Sequence, residues 1–199
     1  MTSMPKFILF LVVFIVSCHG KKLTKEEVDP ATGFKTTFSV NAKDQSYHGP
    51  YTKVDSLGNL IEKGNYENGK LSGIRELYFP GGKVKVRERY TNGQISDLYE
   101  YFFPNGKLEL QGEYVDGAMY GVWRKYNEDG KLLEEVMMVQ NEEMGPFTEY
   151  YPNGQIQAQG TYLHGPNEDG ELKLYDESGQ LYKTMLCDSG KCVTTWEKK

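Results

Sequence analysis

Apolar and polar residues alternate along most of the chain in short runs, and glycine-containing turns separate these runs. After Gly106, the residues Leu108, Leu110, Gly112 and Tyr114 alternate with charged or amide residues. The same positions hold Leu132, Glu134, Val136 and Met138 one repeat later, and Ile156, Ala158, Gly160 and Tyr162 in the next repeat. Period-two alternation is typical of an antiparallel strand with one packed face and one face in water. The pattern therefore predicts short, half-buried strands joined by tight turns.

The turn glycines recur at a fixed spacing. One series occupies positions 58, 82, 106, 130, 154 and 179, so that its spacings are 24, 24, 24, 24 and 25 residues. Two further series keep the same register, and Asn141 and Asp97 are their non-glycine members. Asn and Asp are the residue types that best tolerate the left-handed backbone region. A fixed period in the twenties predicts a repeat array, in which each repeat is one supersecondary unit stacked on its neighbours.

The Pro-Asn-Gly sequence at 104–106 fits a three-residue hairpin loop. Proline presets φ for the second position of a type I turn, asparagine suits the next position, and glycine takes the left-handed position that closes the loop. We expect Phe102 to face Leu108 across this hairpin and Glu100 to face Leu110. The predicted fold class is all-β, an elongated, single-layer antiparallel meander of consecutive β-hairpins with a period of 24 residues.

Three glycines fall inside the predicted strands rather than in turns: Gly64, Gly112 and Gly160. All three lie on the apolar face of their strands. An aromatic ring from a neighbouring strand can cover such a glycine. We therefore expect ring-over-glycine contacts on this face.

Three aromatic rings, Tyr99, Trp123 and Phe147, occupy one position in three successive repeats. They are predicted to lie on the face opposite the first apolar residue after each turn, which is Leu108, Leu132 or Ile156. A single sheet with rings on both faces leaves some rings exposed, and an exposed aromatic stripe commonly marks a contact surface. The three rings are therefore candidates for a binding face, with Trp123 as its anchor. Alternatively, they pack on the stems of Lys and Arg neighbours and only stabilise the sheet.

Composition and charge point away from catalysis and nucleic-acid binding. The formal net charge is -5, from 23 Lys and Arg against 28 Asp and Glu, so no basic footprint for nucleic acid is present. The three histidines have no accompanying nucleophile or metal-ligand spacing. The acidic pairs Glu142-Glu143 and Asp169/Glu171 are interpreted as solvated loop charge, because no calcium-loop spacing surrounds them. We expect no enzyme activity, no cofactor and no metal site.

Residues 1–17 are predicted to be a signal peptide. Lys6 supplies a positive charge, and the apolar run at 7–16 is too short to span a bilayer. This run ends in Ile-Val-Ser-Cys at 15–18, which resembles the bacterial lipobox. The resemblance implies that the signal is cut before Cys18 and that the Cys18 thiol is diacylated. The alternative is an ordinary signal peptide with an incidental cysteine.

The region after Cys18 divides into three parts. Residues 18–27 are polar and charged, and they are predicted to be a lipidated, flexible tether. Residues 28–48 contain a turn that is followed by a strand-like run, and they are interpreted as a degenerate N-terminal half repeat. Residues 49–199 form the predicted repeat domain. Terminal repeats are expected to be atypical because they cap the array.

The pattern Y-x-x-G-K-L, followed by G-x-Y-x-x-G-x-x-x-G-x-W, resembles the MORN repeat in its bacterial variant, the form found in YwqK-type antitoxin proteins. The best matches are residues 98–121 and 146–162. The match weakens at 136–143, where Val136 and Met138 replace the usual glycine and tyrosine. The resemblance implies a twisted antiparallel sheet of hairpins and a scaffold or binding role.

The last predicted hairpin departs from the repeat pattern. Cys187 and Cys192 flank a four-residue turn, and Cys187 occupies a position that holds tyrosine in most other repeats. A disulfide across the turn is favoured in an exported chain. Two free thiols or a metal-ligand pair are the alternatives.

Together these features favour a lipoprotein of the bacterial cell envelope, on the outer membrane or the periplasmic side. The protein would contact the membrane through its N-terminal lipid and would bind a protein partner as an interaction or scaffold module. Two alternatives stay open: an antitoxin or immunity protein that neutralises a toxin, and a glycan-binding surface protein that uses aromatic rings as stacking platforms.

Overall fold

The computed structural model describes residues 13–14 and 22–199. Every regular secondary-structure element in this part of the chain is a β-strand. The described ranges contain no helix of the length and apolarity needed to cross a membrane. The predicted signal peptide (1–17, apart from residues 13–14) and the predicted lipidation site Cys18 lie outside the described residues. The all-β fold class is confirmed.

The chain divides into two compact units. The first comprises Met1–Val84 and Tyr90–Gly93, and the second comprises Lys85–Arg89 and Gln94–Lys199. Strand β8 (Val84–Thr91) contributes residues to both. The other strands of the first unit are β1 (Val13–Phe14), β2 (Lys22–Val28), β3 (Lys35–Asn41), β4 (Tyr47–Val54), β5 (Leu60–Glu67), β6 (Lys70–Leu71) and β7 (Gly73–Tyr78).

In the first unit, consecutive strands pair antiparallel from β1 to β6, and β7 also pairs with β5. Its core consists of Phe38, Val40 and Tyr51, with Leu23 packed against it. Residues 22–27, predicted to be a flexible tether, belong to strand β2 instead. The difference has a physical reason, because Leu23 buries apolar surface on this core while the backbone of β2 pairs with β3.

The second unit continues the meander with nine further strands. They are β9 (Gln94–Phe102), β10 (Leu108–Val115), β11 (Ala118–Tyr126), β12 (Leu132–Val139), β13 (Glu142–Tyr150), β14 (Ile156–Tyr162), β15 (Gly170–Tyr175), β16 (Leu181–Asp188) and β17 (Lys191–Glu197). Each pairs antiparallel with the next along the chain. The predicted meander of consecutive hairpins is therefore observed in each unit.

The turns have the predicted backbone conformation. Gly106 has φ +93°, and its N–H donates to the Phe103 carbonyl at 2.8 Å. The two non-glycine members of the glycine series, Asp97 and Asn141, also have positive φ, at 58° and 70°. The turn chemistry read from the sequence is thus confirmed, including its two exceptions.

The pairing across the central hairpin is partly as predicted. Leu108 lies opposite Phe102, but Leu110 lies opposite Tyr101 rather than Glu100. The register shifts because the strand after the turn contains one extra residue, a β-bulge of the kind that accompanies a three-residue loop. The strand register also shifts by one residue next to the turn in the two hairpins whose loops follow Tyr126 and Tyr150.

The bulge decides which residues share a face in the second unit. It turns Leu108 to one face and leaves Leu110, Gly112 and Tyr114 on the other, so the predicted single alternation from Leu108 to Tyr114 is wrong. We call the face that carries Leu110 and Trp123 the aromatic face, and the face that carries Leu108 the second face.

Candidate binding face

The three candidate rings lie on the aromatic face, opposite Leu108 as predicted, but they are not exposed. Trp123 retains 3% of its accessible surface and Phe147 retains 4%, while Tyr99 is half-buried and packs against Trp123. The prediction that they form an exposed binding stripe anchored by Trp123 is therefore wrong. They are part of the hydrophobic core of the second unit.

Glycines opposite the rings explain this burial. A Cβ atom added to Gly112 would lie 2.6 Å from the Trp123 Cγ and closer still to two other indole carbons. A Cβ atom at Gly160 would lie 2.7 Å from the Phe147 Cε1. Neither glycine has a positive φ. Glycine is therefore required at these positions because a side chain would collide with the ring, and not because of the backbone conformation. The expected ring-over-glycine contacts are confirmed.

The rings also pack on each other. The ring centroids of Tyr114 and Trp123 are 5.4 Å apart in an edge-to-face arrangement, and those of Tyr99 and Trp123 are 5.6 Å apart. Phe147 and Tyr162 stack at 4.2 Å with nearly parallel planes. Such aromatic pairs stabilise a fold by about 0.5–1.5 kcal/mol beyond their buried area. The neighbours of these rings are other rings, glycines and apolar core residues such as Val136 and Met138.

The aromatic face also carries a cluster of acidic residues that the repeat spacing does not predict. Glu134 of β12 lies directly opposite Glu149 of β13, and Glu143 lies opposite Met138. Glu168 pairs with Tyr162 through an isolated antiparallel β-bridge of the backbone. We call Glu134, Glu143, Glu149 and Glu168 the glutamate cluster. All four are half-buried, so the interpretation of Glu143 as solvated loop charge is wrong.

Burial and mutual repulsion disfavour the ionised forms of glutamates in the cluster. Burial, and then the charge of Glu134, raise the pKa of Glu143. Burial raises the pKa of Glu149 as well, and Glu134 and Glu168 raise it further. Burial also raises the pKa of Tyr162, and the negative charges of all four glutamates add to this effect. Among the described residues, none forms an ion pair with a member of the cluster.

The nearest basic residue in the strand register is Lys125, which lies opposite Glu134 and is exposed. Directly opposed like charges destabilise a sheet. Within the described part of the chain, no group of three or more His, Cys, Asp or Glu residues is arranged to hold a metal ion. The cluster is therefore a patch of excess negative charge beside the core, with one lysine, Lys125, next to four glutamates.

A shallow groove of about 140 Å³ adjoins the cluster. Glu134 and Glu143 contribute carboxylates to its wall, Lys125 contributes one ammonium group, and Met119, Met138 and Trp123 contribute apolar surface. Methionine side chains are flexible and polarizable, so a methionine-lined surface adapts to different apolar groups. The groove can therefore accept the apolar stem of a side chain whose cationic end reaches the carboxylates.

The sequence did contain a signal for this site. Glu134 occupies the repeat position that holds Leu110 in the preceding repeat and Ala158 in the following one. A charged residue at a position that is otherwise apolar breaks the repeat pattern. Such a break indicates either a loss of packing or a functional substitution.

At the C-terminus, the structure pairs Cys187 with Cys192 in a disulfide, and the two cysteines lie directly opposite each other on β16 and β17. Cys187 is buried at the end of the aromatic core. The other two interpretations of this cysteine pair therefore do not describe the structure.

The fold and the site together define an all-β hairpin-repeat protein with a packed aromatic face and an acidic groove. Four segments match the family model of the MORN repeat variant: residues 98–116, 119–140, 145–164 and 168–186. The chain therefore contains four MORN-variant repeats, all within its second unit, and such repeats are consistent with a module for protein or membrane interaction. A search of the curated proteins found no match.

Proposed function

We propose that the protein is a non-catalytic interaction module of the bacterial cell envelope, and that it binds a basic segment of a protein partner through the glutamate cluster. The single observation that supports this proposal most strongly is the presence of four half-buried glutamates on one face without an ion-pair partner among the described residues. A site of this kind gains free energy when a cation enters.

The negative charge of the glutamate cluster is complementary to a basic partner segment. The raised pKa values of Glu143 and Glu149 show that their ionised forms are disfavoured in the free protein. A Lys or Arg side chain from a partner reduces the mutual repulsion of the carboxylates and forms charge-assisted hydrogen bonds with them. Charge complementarity across an interface accelerates association and excludes acidic partners.

The proposed location follows from the N-terminal sequence. We propose that Cys18 is lipidated and that the acyl chains hold the protein on the outer membrane or on the periplasmic side of the envelope. Each buried CH₂ group contributes about 0.8 kcal/mol to membrane binding, so that two or more chains give stable anchoring.

A toxin with a basic surface is one partner that this proposal would accommodate, and an antitoxin role is therefore a special case of it. The glycan-binding alternative depended on stacking platforms formed by Tyr99, Trp123 and Phe147. Two of these rings are fully buried and pack on glycines, so they are not available to stack on sugars. We therefore do not propose glycan binding.

The test uses fluorescein-labelled octalysine as a generic basic segment and measures binding by fluorescence anisotropy. We expect binding that weakens as salt is added, because the interaction is between charges. The double variant Glu134→Gln/Glu149→Gln should bind at least about tenfold more weakly, equivalent to about 1.4 kcal/mol.

The matched control is Glu113→Gln/Glu128→Gln, which removes the same charge from exposed residues outside the cluster. This control should retain most of the binding. Equal losses in the two double variants would mean that octalysine responds only to the net charge of the protein, and the proposed site would be wrong.

A further inference from the structure

The last hairpin carries a group of exposed apolar side chains. Leu186, Val193 and Trp196 retain 55%, 65% and 46% of their accessible surface. Leu186 lies directly opposite Val193, and Trp196 lies opposite Thr184 of the same strand as Leu186. All three therefore project from the second face, and we call them the C-terminal patch. A group of neighbouring exposed apolar residues commonly marks a contact surface. An exposed apolar residue that stands by itself, such as Val115, does not.

The C-terminal patch is held in place before any partner arrives. The disulfide between Cys187 and Cys192 joins β16 to β17 beside the patch. The Thr184 and Thr195 hydroxyl oxygens lie 2.9 Å apart, within hydrogen-bond distance. A preorganised surface loses less conformational entropy on binding than a flexible one. The patch is therefore suited to recognition despite its position near the chain terminus.

The charges around the patch are balanced. Four charged residues share its face in the strand register: Glu171, Lys173, Asp188 and Lys191. Two are acidic and two are basic, and Lys173 forms an ion pair with Glu171 at 3.0 Å. The chain as a whole carries a net charge of -5, and the glutamate cluster on the aromatic face repels another copy of the same chain.

We propose that the C-terminal patch binds a second copy of this chain. Two copies would pack patch against patch about a twofold axis, which brings the same surface of each copy together. The balanced rim permits this contact because each copy offers both an acid and a base to the other. Since only three large side chains are involved, we expect a weak dimer with a dissociation constant of roughly 10–100 μM.

The test is sedimentation velocity of the full chain over a concentration series that brackets the expected constant. The wild-type protein should shift from monomer to dimer, and Val193→Glu should remain monomeric because it places a charge in the contact. The matched control is Val115→Glu, at another exposed valine, which should dimerise like the wild type. Circular dichroism melting of each variant establishes that it is folded.

A second arm identifies the occupant as a second copy. Mixing Val193→Glu with Val193→Lys should restore dimers, since the twofold axis places these opposite charges near each other, whereas neither variant dimerises alone. A wild-type monomer throughout the series, a dimer in Val193→Glu, or the absence of rescue in the mixture would each overturn the proposal. Octalysine binding should be unchanged in Val193→Glu, so this proposal and the glutamate-cluster proposal can fail independently.

Discussion

Replacing Gly112 with alanine tests the packing of the aromatic face. At a strand position with ordinary φ, a Gly→Ala change normally stabilises a protein by about 0.4–1 kcal/mol, because it restricts the unfolded chain. At Gly112 the new methyl group would lie 2.6 Å from the Trp123 Cγ, where about 3.4 Å or more is needed. The indole must therefore move by close to 1 Å or more in a buried site.

Overpacking of this kind costs about 1–3 kcal/mol, and occasionally more. Since the displaced group is the most buried ring of its core, we take the upper part of that range and subtract the gain from the unfolded chain, which leaves a net loss of about 2 kcal/mol. For a chain of this size, that loss lowers the melting temperature by about 4–8 °C.

Thermal and urea unfolding, followed by circular dichroism in all four proteins of a double-mutant cycle, measure the effect directly. The double-mutant cycle with Trp123→Ala supplies the control, because alanine lacks the Cγ and the ring atoms that the new methyl group would meet. In the Trp123→Ala background, Gly112→Ala should be neutral or slightly stabilising. If Gly112→Ala melts at the wild-type temperature, or loses the same stability in both backgrounds, the Trp123 ring does not pack on this glycine.

Three further changes test other parts of the structure. Glu149→Gln should stabilise the fold by about 0.5 kcal/mol at neutral pH, because it removes an opposed like charge. The folded-state pKa of Glu149 is raised, so its ionisation costs stability as the pH rises from the unfolded-state pKa through the folded-state pKa. The advantage of Glu149→Gln should therefore grow over that window in urea unfolding, and a constant or shrinking advantage would contradict the repulsion argument. Gly106→Val should cost about 1–3 kcal/mol because Gly106 has φ +93°, and Pro104→Ala should cost clearly less; equal losses in melting temperature would refute the turn assignment. Cys18→Ala should release the protein from the membrane fraction or block its processing, and normal maturation with continued membrane fractionation would disprove lipidation.

Local chemistry made much of the fold predictable. The Pro-Asn-Gly turns, the fixed glycine spacing and the strand alternation are consequences of backbone sterics, which act within a few residues. The ring-over-glycine contacts at Gly64, Gly112 and Gly160 were predictable for a related reason. A glycine on an apolar strand face leaves a gap that a neighbouring ring can fill.

The distribution of residues between the two faces was harder to predict. One extra residue after each turn moved Leu108 away from Leu110, and a shift of one residue exchanges the faces of a strand. The three-residue loop implied such a bulge, but the prediction from alternation alone did not include it. The burial of Trp123 depended on the rings of neighbouring strands, which strand periodicity does not report.

The glutamate cluster could not be predicted from spacing because its members come from β12, from β13 and from the segment between β14 and β15. Glu134 and Glu149 are brought together by the pairing of β12 with β13, and Glu168 joins them through a bridge outside the regular strands. The substitution of Glu134 for the leucine of the preceding repeat was visible in the sequence. Its meaning depended on the register, which placed a second glutamate directly opposite.

If the glutamate cluster carries excess negative charge and takes a cation from a partner, the ionisation of its carboxyl groups should respond to a bound cation. The most direct measurement is the titration of the individual glutamate carboxyl groups by NMR, in the free protein and with saturating octalysine. The pKa values of Glu143 and Glu149 should be raised in the free protein and should fall when octalysine binds. Ordinary pKa values for Glu143 and Glu149 in the free protein, or raised values that octalysine leaves unchanged, would contradict the claim.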